Sequence, residues 1–304
     1  MRRICLALVL VAAVVIVGCR PEVDPYVELP GKIVYASVRD EMSQIVLTDP
    51  QGEEQTVLTN PSSLRGVDGF YTPCLAPDGR SIVCIASIRG FRELALIELG
   101  DPPGVRLITE EGTYKADPVF SPDGTTIYYV STSVLGDDEV YALDYQVLGA
   151  EPVRLTNRRS DDNQLAIDPE GTYLAYVSDQ HGALDIYTID LTGKDEPWRV
   201  TDAEGDVSRP VFDPEGDYII YELLHEGNLD IAYTDFGNAA NNGTLIESDE
   251  WMEYSPAVSP SGDYILAVTN RDGQTDLCLF TWYGDFVRRI TDDEYRDATA
   301  RWSR

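Results

Sequence analysis

From Lys32 onward the chain alternates short apolar runs with short polar breaks. Runs such as TIYYVS (126–131) and EVYALD (139–144) are rich in β-branched and aromatic residues. Gly, Pro, Asp and Ser bound them, and no helical period appears, so the pattern predicts strands and turns throughout. The breaks themselves recur. PCLAPDG (73–79), PVFSPDG (118–124), LAIDPEG (165–171), PVFDPEG (210–216) and PAVSPSG (256–262) are variants of one phrase. Their final glycines, Gly79, Gly124, Gly171, Gly216 and Gly262, lie 45, 47, 45 and 46 residues apart.

Each phrase is followed by one β-rich run, a polar turn and a second run. Most units then close on a short strand ending in Thr, as in VRLIT (105–109), VRLT (153–156), WRVT (198–201) and VRRIT (287–291); the fifth closes on GTLIES (243–248). Each unit therefore encodes four strands. The first two form a hairpin: Pro presets φ for a type I turn, the acidic or Ser residue bonds nearby amides, and Gly takes the left-handed position. Four-stranded units of this length predict propeller blades.

The chain ends test that reading. Lys32 to Ser37 matches a second strand, Gln44 to Thr48 a third and Thr56 to Thr59 a fourth, so the N-terminal unit lacks a first strand. Ala298 to Arg304 matches a first strand, with Trp302-Ser303 aligning to Phe120-Ser121. The expected fold is all-β: a six-bladed β-propeller of four-stranded antiparallel blades over 32–304, closed by the C-terminal strand joining the N-terminal blade.

Residues 1–18 read as a signal peptide. Arg2 and Arg3 precede an apolar run from Ile4 to Val17, too short for a comfortable membrane span. The run ends in Ile16-Val17-Gly18-Cys19, which resembles the bacterial lipobox and marks Cys19 as the lipidation site. An ordinary signal peptide or an anchor helix is the competing reading. Residues 19–31, with Pro21, Pro25 and Pro30, read as a lipidated tether. Membrane attachment through the lipid and an extracytoplasmic location, in the cell envelope or periplasm, are the corresponding expectations.

The 53 Asp and Glu against 23 Lys and Arg give a net charge of −30, which excludes nucleic-acid binding through a basic patch. Only Lys32, Lys115 and Lys194 are lysines, a balance suited to concentrated salt, where carboxylates stay hydrated and their repulsion is screened. Cys74 and Cys84 flank Pro77-Asp78-Gly79 symmetrically, which would set them opposite each other in the hairpin; a disulfide and two buried thiols are both open. Cys278 reads as core. His181 and His225 fall in the turns between second and third strands of the fourth and fifth blades, as solvated residues or, less simply, a shared metal site. Glu139, Asp185, Asp230 and Asp276 recur at one blade position, which points to a structural role satisfying turn amides. No Asp-x-Asp-x-Asp-Gly calcium loop and no Gly-x-Ser-x-Gly appears, so no cofactor, metal or catalytic residue is assigned.

The phrase PxFSPDG followed by IYYVS, DIYxID and a closing RLT resembles the TolB-like β-propeller repeat, in every blade. The resemblance implies an extracytoplasmic propeller that works by binding proteins or other ligands. TolB carries an α/β domain ahead of its propeller that has no counterpart in this reading, so its partners do not transfer. Similar propellers gate prolyl-oligopeptidase-type peptidases and form histidine-rich lyases, whose catalytic features are not found. In the family, ligands enter at the end of the channel where first strands begin. The residues expected to line that mouth are Thr72, Asp117, Gln164, Arg209, Ser255 and Thr299, with Tyr71, Tyr254 and Arg65 at the rim. The expected function is non-catalytic binding of a protein or peptide; a channel-mouth hydrolase or lyase, or a carbohydrate or small-ligand sensor, is the alternative.

Overall fold

The computed structural model describes residues 23–60, 62–133, 136–248 and 250–303. The expected signal peptide and Cys19 lie outside the described residues. Among the described residues there is no helix, and 24 strands form six four-stranded antiparallel sheets. Blade 1 is composite, in the spatial order Arg296–Ser303, Lys32–Arg39, Met42–Thr48 and Thr56–Val57. Ile33 pairs with Trp302 and Val34 with Arg301, so the two chain ends close the ring as the repeat requires. Blades 2 to 6 follow in sequence, with first strands at Val67–Leu75, Lys115–Phe120, Asp162–Ile167, Asp206–Phe212 and Glu253–Val258.

The sheets pack face to face. Six apolar clusters form the core, one at each junction between neighbouring blades. Tyr35, Tyr129 and Tyr176 on second strands are among the largest fully buried side chains. The hairpin turns behave as their sequence predicts: Gly79, Gly124, Gly171, Gly216 and Gly262 all have positive φ and donate to the carbonyl three residues back. At Gly171 a Cβ would stand 3.0 Å from Pro122 of the preceding blade, so glycine is needed there for packing as well as for φ.

The repeated acidic position fixes the fourth strand. In blades 2, 3 and 4 the closing Thr accepts the amide of Leu94, Val140 or Ile186 and donates to Glu93, Glu139 or Asp185 at 2.6 to 3.0 Å. Lys115, Arg154 and Arg199 neutralise these carboxylates. In blade 5 Ser248 replaces the threonine, and its amide donates to Asp230 at 3.4 Å. The acids therefore latch the outermost strand, and they also serve connecting amides, as where Glu93 accepts the Gly112 N–H at 2.6 Å.

One further expectation changes. Cys74 pairs with Val83, not Cys84, because the left-handed Gly79 shifts the hairpin centre by half a residue. The two thiols then join different clusters, Cys84 between blades 1 and 2 and Cys74 on the other side, and all three cysteines of the body are free. His181 accepts or donates a 2.6 Å hydrogen bond with Tyr187 and stacks on it, while His225 is exposed at a strand end. Neither belongs to a metal-holding group among the described residues.

The segment from Val23 lies against the body. Leu29 is buried, and Val23 and Val27 pack on the cluster between blades 6 and 1. Arg288 donates to the carbonyls of Pro25 and Val27 at 3.0 Å, and Trp302 Nε1 donates to Pro30 at 3.0 Å. Val23 shares a groove with Glu215, Ser261 and Asp263, on the face that carries the Pro-x-Gly turns.

Candidate functional site

The opposite face, where first strands begin, holds the channel mouth. Every first strand has a β-bulge at the same place, with two residues opposing one on the second strand. The doublets are Thr72-Pro73, Asp117-Pro118, Gln164-Leu165, Arg209-Pro210, Ser255-Pro256 and Thr299-Ala300. Proline is tolerated in four of them because a bulge frees that position from the ladder. The first residue of each doublet is left-handed, with φ of 44°, 48°, 54°, 48°, 55° and 43° in that order. Six non-glycine residues in this region carry a strain of about 1 kcal/mol each, held by the surrounding sheets.

The bulges turn these six side chains onto one cavity of about 220 Å³. All six expected mouth positions line it, and so does Tyr71. Tyr254 does not line it; its ring packs on the cluster between blades 6 and 1. Arg65 is exposed and also lies off the cavity wall. Arg92, Tyr114 and Arg301 line the cavity without having been expected. Arg92 Nη1 donates to the Tyr114 hydroxyl at 2.8 Å, and its guanidinium lies 4.8 Å from that ring and 5.7 Å from the Tyr71 ring.

Side chains of one blade accept amides of the next around most of the ring. Asp117 Oδ2 takes the Gln164 N–H at 3.2 Å, and Gln164 Oε1 takes the Arg209 N–H at 2.6 Å. Glu222 Oε1 takes the Ser255 N–H at 2.6 Å, and Ser255 Oγ takes the Ala300 N–H at 3.1 Å. Glu222 also stands 3.2 Å from the Arg209 guanidinium and accepts the Ser208 hydroxyl. Four of six junctions are stitched in this way. At the two junctions flanking Thr72 none of the six mouth residues makes such a bond among the described residues, although Cys74 Sγ faces the Phe120 amide below the ring, and the buried Thr72 hydroxyl has no partner.

Arg301 and Glu222 could have been found as breaks in the repeat. The position of Arg301 is Cys74, Val119, Ala166, Val211 and Ala257 in the other blades; that of Glu222 is Ala36, Ile85, Val130, Val177 and Val268. A charge placed where five equivalents are apolar or small is the available signal.

The comparisons agree with the repeat. The profile of the TolB beta propeller domain matches residues 133–304. TolB from Acinetobacter baumannii is similar with a TM-score of 0.74 at 21% identity, over 91% of this chain and 67% of that one. The putative TolB from Agrobacterium tumefaciens gives 0.66 at 19% identity, over 91% of this chain and 99% of that one. A puromycin-hydrolysing peptidase from Mycobacterium tuberculosis gives 0.60 at 17% identity, over 82% of this chain but 42% of that one. With its bulged six-blade ring and a matched profile over more than half its length, the chain belongs to the TolB beta propeller domain family.

Proposed function

We propose that the protein is a lipid-anchored, extracytoplasmic binding module that holds a protein or peptide segment at the channel mouth without transforming it. The observation that carries this reading is the state of the mouth carboxylates. Asp117 and Glu222 are spent on backbone amides of neighbouring blades, so they act as fixed acceptors that shape the ring. The free capacity of the cavity is of the kind that grips: an arginine on two tyrosine rings, an unpartnered threonine hydroxyl and a further guanidinium. The likeness to TolB proteins supports the same use of the scaffold, and the lipobox-like Cys19 supports the anchor.

Photo-crosslinking tests it. A benzophenone amino acid at Tyr114, on the mouth, is expected to give a discrete protein adduct in native envelopes, and one at Tyr283, on the opposite face, is expected to give none. Equal labelling from both faces, or none from the mouth, overturns the reading. Cys19→Ala is expected to abolish fatty-acid labelling and move the protein from the membrane to the soluble fraction; retention on the membrane overturns the anchor.

A further inference from the structure

The one stretch of the mouth ring left unstitched coincides with its uncompensated positive charge. Among the ionisable groups lining the cavity, Asp117 faces Arg92, Arg209 and Arg301, in a molecule of net charge −30. Arg209 is neutralised by Glu222. Arg92 touches Tyr71 and Tyr114 but no carboxylate. Arg301, on the closing strand, makes no hydrogen bond or ion pair with any described residue. Burial pulls its guanidinium below the usual arginine value, with Arg209 adding and Cys74, Asp117 and Glu222 opposing, yet arginine keeps its charge in proteins. A guanidinium set into a channel wall without a partner is costly unless something from outside completes it. The Thr72 hydroxyl, unpartnered in the same cavity, poses the same demand.

We propose that this gap is a carboxylate pocket: Arg301 and Thr72 receive the terminal carboxylate of a peptide chain inserted into the channel. The inference rests on the mouth-binding reading above and names its chemistry. Charge balance selects the group. Asp117 offsets one of the two free arginines, leaving room for a single negative charge, which a carboxylate supplies and a dianionic phosphate exceeds. Size selects its bearer. A cavity of about 220 Å³ falls below the roughly 300–1,000 Å³ of compact-ligand sites, so it suits a narrow chain end. The neutral polar side chains of Gln164 and Thr299 on the same wall suit peptide groups behind that end. A guanidinium facing a carboxylate gives the paired, charge-assisted hydrogen bonds that such capture needs.

The test uses the whole propeller with arginine side chains labelled for NMR, at low salt. The probes are acetyl-Gly-Ala-Ala with a free carboxylate, its C-terminal amide, and inorganic phosphate. The acid is expected to shift the Arg301 Nε–Hε signal, the amide to bind at least tenfold more weakly, and phosphate to bind more weakly than the acid. Arg301→Met is expected to erase the acid–amide difference while leaving the melting temperature unchanged or raised, because it removes a charge without a partner. Thr72→Val is expected to weaken the acid several-fold with the fold intact. Equal binding of acid and amide, tighter binding of phosphate, no response to the acid, or a melting point several degrees lower in Arg301→Met overturns the inference. The two readings fail separately. Mouth crosslinks from a parent protein that binds acid and amide equally sink only the carboxylate pocket. Discrimination without any mouth adduct sinks only the partner reading.

Discussion

At four of the junctions between blades, the residue two places before the bulge, Lys115, Asp162, Glu253 or Asp297, faces the latching acid of the preceding blade, and its identity sets the charge state. Between blades 2 and 3 it is Lys115, fully buried, 3.1 Å from Glu93 and 3.0 Å from Glu111. Lys115→Met strands Glu93 in the interior and is expected to cost about 3 kcal/mol in urea unfolding. At other junctions the facing residue is itself acidic. Burial, reinforced by Asp230, raises Glu253 to about 7, against an opposing Thr269 hydroxyl. Burial also raises Asp297 to about 7, with Asp293 and Asp276 adding and the Thr291 and Ser37 hydroxyls opposing. Each keeps in the folded state a proton that the unfolded chain gives up near pH 4. The folded state therefore binds more protons between about pH 4 and 7, and stability falls as pH rises through that window. Glu253→Gln and Asp297→Asn, neutral throughout, are expected to flatten the melting-temperature profile there and to stabilise at pH 8 by about 1–3 kcal/mol each. A profile as steep as that of the parent would refute the assignment.

At the scale of elements, two devices recur: the bulge that aims the first strand and the latch that pins the fourth. Thr201→Val removes the acceptor for the Ile186 amide and the donor to Asp185 together. The expected cost is about 1–2 kcal/mol, with the Val200 amide, bonded to the Ile186 carbonyl, losing exchange protection before the inner strands do. Uniform protection loss across the blade would count against a local latch. Both devices leave a trace in the sequence because the bulge recurs in every blade and the threonine of the latch in five of the six. That is why the mouth positions are legible: one alignment of the PxFSPDG-like phrases places six equivalent residues on one wall. What was not legible occurs once. Tyr71 and Tyr254 occupy equivalent positions, yet only Tyr71 turns to the cavity, where Arg92 lies over its ring. Arg65 sits in a connecting turn whose direction no repeat constrains. The cysteine register failed for a subtler reason: symmetry in sequence about Gly79 is not symmetry in space when the turn includes a left-handed glycine.

The whole molecule is a ring of six similar wedges carrying a net charge of −30. Such self-repulsion is relieved by screening, which acts within about 3 Å at 1 M salt against about 10 Å at 0.1 M. The melting temperature is expected to climb steadily from 0.1 to 1 M potassium chloride; a flat or falling response would mean the acids are balanced locally. The ring also depends on its seam. Deleting Arg296–Ser303 exposes the Lys32–Arg39 edge and one side of the apolar cluster between blades 6 and 1, and should replace the monomer with aggregates in size-exclusion chromatography. The number of blades and the place of this seam were readable because the terminal units are complementary fragments of a single repeat.

The segment clamped by Arg288 and Trp302 also governs which way the molecule looks. With Cys19 acylated as proposed, only four residue steps separate the fatty chains from Val23, a stalk of at most about 14 Å. Val23 is seated on the side bearing the Pro-x-Gly turns. The propeller would then sit like a cup on a short stem, its base toward the bilayer and its opening toward whatever approaches from beyond.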